Sequence, residues 1–272
     1  MNLELQKSIG VVDINFINGS LKKNFQQGSS KVLFPKSYSE LEQLVLINTS
    51  GGVTSGDKYK TIINLKNSKI FSTTQAAEKI YSGNGVSATL DYYITLDNST
   101  LFWIPNETIL FNKCNLNRNI QLNLEINSNL FFCETVVYGR SAMNETIETG
   151  YYSDQWKIFN GKKLLHFETS GFDNNISKIK NKKFTLNNEC AVNTIMLFGS
   201  EMLKFEGILE EILHNSEHVT AAISQWNEKI LIRSISNNNY YLKKFVDKII
   251  LIILNKKFHR CGEPHETFTK RN

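Results

Sequence analysis

Five carboxylates fall where chemistry is plausible: Asp57, Glu78, Glu107, Glu134 and Glu145 all sit in or beside short polar stretches between strand-like runs. Asp57 closes the loop Asn48–Gly56, in which Gly51, Gly52 and Gly56 give the backbone access to positive φ and tight turns. Shortly after, Gln75–Tyr81 gathers amide, carboxylate, ammonium and phenol within one short segment. Folding does not require that chemistry between strands, so it points to something bound or passed along. Paired carboxylates can do acid–base work, and sequence spacing does not say which of these lie close enough for it. Glu134 is the most telling. It lies inside the apolar run Leu130–Tyr138, on the face of Phe132 and Val136. A carboxylate there costs stability unless it is paired or reaches water. Two readings stand: Arg140 is its partner, or Glu134 lines an internal polar channel.

Other familiar chemistry is missing. The glycine loop lacks the Gly-Lys-Ser/Thr ending of a phosphate-binding loop and reads as a turn. There is no Gly-x-Ser-x-Gly elbow, and a histidine-based triad would need His166 or a later residue. His214 and His218 are four apart, but the helix carrying the first is expected to end between them. The tail His259-Arg-Cys261-Gly-Glu263-Pro-His265 collects imidazole, thiol and carboxylate after the last expected helix. No catalytic residue is assigned.

Most of the elements that must hold these groups are strands. Thr61–Leu65, Lys69–Thr74, Ala88–Leu96, Thr100–Ile104 and Leu130–Tyr138 read as strands, with Ala88–Leu96 and Thr100–Ile104 expected to pair as a hairpin across Asp97-Asn-Ser99. Ile120, Leu122, Leu124 and Ile126 alternate with polar residues, marking a strand with one face in the core. Asn160-Gly161 predicts a second hairpin between Trp156–Phe159 and Lys162–Thr169. Helices come late: Glu201–His214, with Met202, Phe205, Ile208, Leu209 and Ile212 inward, and Tyr240–Phe258. Val219–Ser224 and Lys229–Ile235 return to strand between them. The fold class is mainly β, as a sandwich, barrel or solenoid-like stack, with a small layer of about two helices towards the C-terminus. No repeat of fixed length is evident.

The 272 residues are 41% hydrophobic and 21% charged and carry no Pro/Gly/Ser-rich linker, so one domain over residues 1–272 is expected. A net charge of +5 suits an acidic partner surface but is far from the concentrated basic patch of a nucleic-acid binder. The N-terminus does not read as a signal peptide, and the longest apolar run, Ile249–Leu254, is too short to span a bilayer. Four scattered cysteines without a Cys-x-x-Cys pair fit reduced thiols in a cytoplasm rather than a zinc cluster or a disulfide framework.

Four segments together resemble one family. Ser50-Gly-Gly-Val-Thr-Ser-Gly-Asp-Lys58, Ser72-Thr-Thr-Gln-Ala-Ala-Glu-Lys-Ile-Tyr81, Trp103-Ile-Pro-Asn-Glu-Thr-Ile-Leu-Phe111 and Tyr138-Gly-Arg-Ser-Ala-Met-Asn-Glu145 look like the motifs of UreD-type (UreH) urease accessory proteins, in the same order and spacing. The likeness continues more loosely through Trp156, Gly161, Asn193–Phe198 and Lys229–Arg233. It departs at Thr49 and Ser50, where the family usually has prolines, and at Cys261–Asn272, which lacks the family's Pro-Arg-aromatic-Trp ending.

The resemblance implies stacked sheets like those of a β-helix and a cytoplasmic maturation factor without catalysis of its own. Such a factor binds apo-urease and a UreF-type partner, receives nickel from a UreG-type GTPase and holds no cofactor tightly, nickel being in transit. It also implies an internal polar tunnel, for which Asp57, Glu78, Glu107, Glu134 and Glu145 are path or mouth candidates. Thr73, Thr74, Lys79, Tyr81 and Arg140 would shape or neutralise its walls, and the late helices are candidates for docking a partner. Without the resemblance, the residues alone also allow a carboxylate-dependent enzyme of unknown substrate.

Overall fold

The structure is a computed structural model that describes residues 7–35, 41–83, 85–140, 145–176, 180–183, 185–214 and 218–254. The chain begins with β1 (Ile9–Ile17) and β2 (Ser20–Gly28), an antiparallel pair, then β3 (Ser30–Leu33) and β4 (Glu42–Asn48), a second one. It then winds in coils. The first coil is β5 (Lys58–Lys66), β6 (Lys69–Thr74) and β7 (Glu78–Ile80). The second is β8 (Ala88–Asp97), β9 (Thr100–Trp103) and β10 (Thr108–Leu110). The third is β11 (Asn115–Leu124) and the long β12 (Asn129–Tyr138), which pairs with β9 at one end and β10 at the other. A hairpin, β13 (Thr149–Asn160) with β14 (Lys163–Asn175), follows. After β15 (Ala191–Phe198) come two short helices, α1 (Ser200–Leu203) and α2 (Glu206–His214), then β16 (Thr220–Trp226), β17 (Lys229–Ser236) and α3 (Asn239–Leu254).

Two sheets result. One runs β14-β13-β11-β8-β5-β1-β2, parallel between β13 and β1; the other runs β16-β17-β15-β12-β9-β6-β4-β3. Equivalent strands of successive coils stack in register: Lys58 beside Thr89, Lys69 beside Thr100, Thr100 beside Asn129. The repeat that sequence inspection does not reveal is therefore one of geometry, with coils that differ by a few residues in length.

The expected hairpin at Asp97-Asn-Ser99 is not one. β8 and β9 lie in different sheets, and their junction is a corner. Asn98 is left-handed, with φ 47°, and so are Asn67 (47°) and Asn127 (54°) at the equivalent corners and Asn18 (53°) at the β1–β2 turn. Instead of bonding back across a hairpin, these corners bond to one another. The Asn98 side chain donates to Asn67 Oδ1 at 2.8 Å, and Asn67 donates to Asn18 Oδ1 at 3.0 Å. Beside this ladder, Ser68 N donates to Ser99 Oγ at 3.0 Å. The Asn160-Gly161 hairpin, by contrast, forms as expected.

Coiling buries one face of each strand between the sheets. Ile63, Leu65, Ile94, Leu96, Leu101, Ile120, Leu122, Leu130 and Phe132 build the core at one end. Val53, Ile80, Leu90, Leu110, Leu116, Tyr152 and Phe172 build it at the other. The outer face of the second sheet is covered by the helices, through Phe131, Cys133, Ile195, Leu197, Leu242, Phe245 and Ile249. β12 is thus buried on both faces, which explains its nearly continuous apolar run. Two expectations shift. The strand before Ile126 ends at Leu124, leaving Ile126 at the corner and 76% exposed. The first expected helix breaks at Lys204-Phe205, and Ile208 turns outward, 44% exposed. The last helix is described to Leu254; 255–258 lie outside the described residues.

Candidate functional site

Strand alternation aims a charged cluster into the space between the sheets. Arg118 lies on β11 on the same face as Leu116 and Ile120, and beside it on β13 lies Asp154, flanked by Tyr152 and Trp156. Across the interior, β12 contributes Glu134 and β10 contributes Thr108. Arg118 grips Asp154 with two parallel bonds, Nε to Oδ1 at 2.9 Å and Nη2 to Oδ2 at 2.6 Å. Its Nη1 donates to Glu134 Oε2 at 2.9 Å and to Thr108 Oγ1 at 3.2 Å. Trp103 Nε1 donates to the other Glu134 oxygen at 2.7 Å. Arg118, Glu134 and Asp154 are all at most 3% exposed.

Burial works against the charged guanidinium, but Asp154 and Glu134 outweigh it and hold Arg118 above its ordinary range. Burial raises the Glu134 carboxyl above the usual carboxylate value, against the pull of Arg118 and the Trp103 bond. The Tyr152 hydroxyl, buried and donating to Asp154, is raised as well.

The cluster lies between two openings. A cleft of about 190 Å³ is lined by Asn48, Tyr59, Gln75, Glu78, Lys79 and Tyr92, among others. Glu78 is the parallel ladder neighbour of Thr108, so both side chains face the same interior wall. Asn48 donates to Glu78 Oε1 at 3.0 Å. Burial pushes the Glu78 carboxyl up to about 7, opposed by that bond and by Arg118. On the far side, a cavity of about 600 Å³ is lined by Glu134, Tyr138, Trp156, Glu168, Thr194 and Arg233, among others. Arg233 pairs with both oxygens of Glu168, at 2.6 and 2.7 Å. Tyr92, which lines the smaller cleft, is partly buried near the charges of Glu78, Arg118, Glu134 and Asp154, and its hydroxyl is raised by desolvation first and by the carboxylates next. A string of polar groups, Glu78, Thr108, Arg118, Glu134, thus runs from one opening to the other.

The sequence candidates divide accordingly. Glu78 and Glu134 share the interior. Thr74 lines the cleft and its hydroxyl receives the Asn106 amide at 2.9 Å, whereas Thr73 lies on the opposite face of β6, with Phe71 under the helices. Asp57 is 3% exposed and spent on the glycine loop: Oδ1 accepts from Ser8 N and Oδ2 from Thr54 N, both at 2.8 Å. Gly52 in that loop meets β7 so closely that a Cβ there would lie 2.4 Å from the Tyr81 ring and 2.8 Å from Lys79 O. Glu107 sits near the start of α3, 3.5 Å from Asn239 Nδ2. Lys79 is exposed at the rim of the cleft.

Tyr81, Arg140 and Glu145 come together on the outside around Phe111: Tyr81 packs edge-on at 4.9 Å, and Arg140 stacks over the ring at 4.3 Å. Arg140 pairs with Glu145, not with Glu134, because β12 ends at Tyr138 and the chain turns outward through Gly139. The Asn112 backbone N–H first, and Arg140 after it, hold Glu145 below the usual carboxylate range.

Sequence reasoning passed over Arg118 and Asp154. Their signal was present: each is a charge on the apolar face of an alternating strand, between Leu116 and Ile120 and between Tyr152 and Trp156. His218 stacks against Tyr241 at 4.4 Å. The His214 side chain and the tail bearing His259, Cys261 and His265 lie outside the described residues. Among the described residues, no three His, Cys, Asp or Glu side chains are grouped to hold a metal ion, and no helix is long and apolar enough to cross a membrane.

The family model described as UreD urease accessory protein matches residues 13–266. The chain belongs to the UreD family. It is similar to the urease accessory protein UreD of Agrobacterium fabrum, 31% identical over 242 residues, covering 86% of this chain and 82% of that one. The same-named protein of Rhodopseudomonas palustris strain BisB5 is 33% identical over 221 residues, covering 79% and 77%. That of Rhizobium etli is 28% identical over 237 residues, covering 86% of each. As a UreD-family member the chain is an accessory protein in urease maturation and not an enzyme, which sets aside the reading of a carboxylate-dependent catalyst.

Proposed function

We propose that this protein helps deliver nickel to apo-urease in the cytoplasm, binding apo-urease and a UreF-type accessory partner and receiving the ion from a UreG-type GTPase. The ion passes through the interior between the sheets, with Glu78 at one mouth and Glu134 on the path. The observation that carries this reading is the polar string from Glu78 through Thr108 and Arg118 to Glu134, linking a solvent cleft to a larger cavity. A passage must bind its cargo weakly and repeatedly, since a closed cage would trap it. Glu78 and Glu134 are separate carboxylates, with the Thr108 hydroxyl and the Asp154-paired Arg118 between them, and form no closed cage. The cluster also holds more carboxylates than cations, which favours a cation in transit.

Docking falls to the exposed side of the helical layer, where Ile208, Tyr240, Tyr241 and Leu251 stand out of the surface. Nickel is cargo on this reading, and no cofactor stays bound. Co-expression with the matching apo-urease and UreF-type partner, followed by affinity capture and size-exclusion chromatography, tests it. A co-eluting complex that yields active urease only with nickel and the UreG-type GTPase supports the proposal; capture of neither partner refutes it.

A further inference from the structure

We propose that Arg118 is a latch on the interior path: its guanidinium occupies the cation position beside Glu134, and a divalent ion passes only by taking Glu134 from it. This rests on the ion-path reading above and names the residue that regulates it.

The asymmetry of the two carboxylates carries the argument. Asp154 is saturated. Oδ1 accepts from Arg118 Nε and Trp156 Nε1, both at 2.9 Å, and Oδ2 accepts from Arg118 Nη2 at 2.6 Å and the Tyr152 hydroxyl at 2.9 Å. Those four donors fill its lone pairs, so Asp154 is an anchor for the guanidinium and has nothing left for an ion. Glu134 is held lightly by comparison, with Trp103 Nε1 on Oε1 and only Arg118 Nη1 on Oε2. It is also the member of the cluster that lines the larger cavity.

Arg118 can therefore give up Glu134 without leaving its seat. Nε and Nη2 stay on Asp154, and Nη1 keeps Thr108 Oγ1 at 3.2 Å. The guanidinium and Asp154 are then a neutral pair, and Glu134 is a single charged ligand open to the cavity. When the ion moves on, the Glu134 carboxylate returns to Nη1. Guanidinium competes as a fixed, always-charged donor array, which an ammonium on a flexible stem does not reproduce. The result is a carboxylate that binds an ion but does not keep it. Arg118 acts here through Glu134 and does not itself touch the ion.

The test is nickel binding to the purified full-length chain by equilibrium dialysis, with the fold followed by circular dichroism. Arg118→Met is expected to gain one bound Ni²⁺ at least about tenfold tighter than any site of the parent chain, because the positive charge that repels the ion and competes for Glu134 is gone. The double variant Arg118→Met/Glu134→Gln is expected to lose that gain. A folded Arg118→Met that binds no more nickel than the parent overturns the latch. If Arg118→Met melts below the assay temperature, nickel is expected to raise its melting temperature, because an ion that binds only the folded state stabilises it. A melting temperature indifferent to nickel overturns the latch equally. Arg118→Lys, which keeps the charge but cannot grip Asp154 and reach Glu134 together, is expected to show a smaller gain of the same sign.

The two proposals fail separately. If Arg118→Met gains nickel while urease maturation by Glu134→Gln is unimpaired, the latch stands and the path reading falls. If Glu134→Gln stops maturation but Arg118→Met gains nothing, the path stands and the latch falls.

Discussion

Arg118 Nη1 lies 2.9 Å from Glu134 Oε2, and this pair ties the first sheet to the second across the interior. A buried pair of this kind is weak evidence of net stabilisation, since desolvation offsets most of the attraction. Breaking it is another matter. Arg118→Ala leaves Glu134 and Asp154 buried without their cation and is expected to cost about 3–5 kcal/mol. Urea denaturation of variant and parent measures it; a loss near zero would mean that water enters the cluster freely.

Trp103 offers a milder probe of the same site. Trp103→Phe retains an aromatic ring against Tyr92, at 5.5 Å in the parent, while removing the N–H that Glu134 Oε1 accepts. The expected cost is about 1–3 kcal/mol, from one unsatisfied buried acceptor. The melting midpoint is expected to fall without any change in strand content by circular dichroism.

The corner ladder predicts a pair of opposed substitutions. Asn98 combines a φ of 47° with a side-chain bond to Asn67. Asn98→Ala loses the bond and must still hold a left-handed backbone, costing about 1–3 kcal/mol. Asn98→Gly loses the bond alone and relieves the backbone, so it is expected to be the more stable of the two. Equal melting temperatures would show that the backbone at this corner is unstrained.

Much of this molecule could be read from its residues, and what was missed has physical causes. Alternation in Ile120–Leu124 and the apolar run around Glu134 correctly signal strands facing a core. Alternation does not say which strand is the neighbour, so Asp97-Asn-Ser99 reads as a hairpin although its Asn-Ser corner serves a coil. The same limit applies to Glu134. Its nearest cation in sequence is Arg140, yet the one beside it in space is Arg118, brought there by the coil register. Asp57 has the residue type of a path carboxylate, but its two oxygens are taken by backbone N–H groups of Ser8 and Thr54. Only tertiary structure distinguishes a carboxylate that fixes a loop from one that faces a cavity.

Glu78 predicts a pH dependence. Its carboxyl is raised from 4.5 to about 7 in the folded state, chiefly by burial. The folded state thus holds a proton that the unfolded chain has released over that range. Its contribution to stability is fully present below about pH 4.5 and is lost as pH rises to about 7. Glu78→Gln removes this dependence and is expected to be the more stable form at pH 8, by on the order of 1 kcal/mol after allowance for partial exposure. Parallel stability–pH curves for the two proteins would contradict the raised value.

The central claim is that nickel travels past the inward carboxylates and not the outward ones. The decisive measurement is the nickel content and activity of urease matured with Glu78→Gln or Glu134→Gln, set beside Glu107→Gln and Glu145→Gln. Complex formation is checked by size-exclusion chromatography in each case. The account predicts that the two inward substitutions lower nickel content at least about tenfold, as loss of a metal-handling group does, while the complex still assembles. It predicts near-parental nickel content for the two outward ones. Full nickel loading with both inward variants, or equal loss from all four, would contradict it.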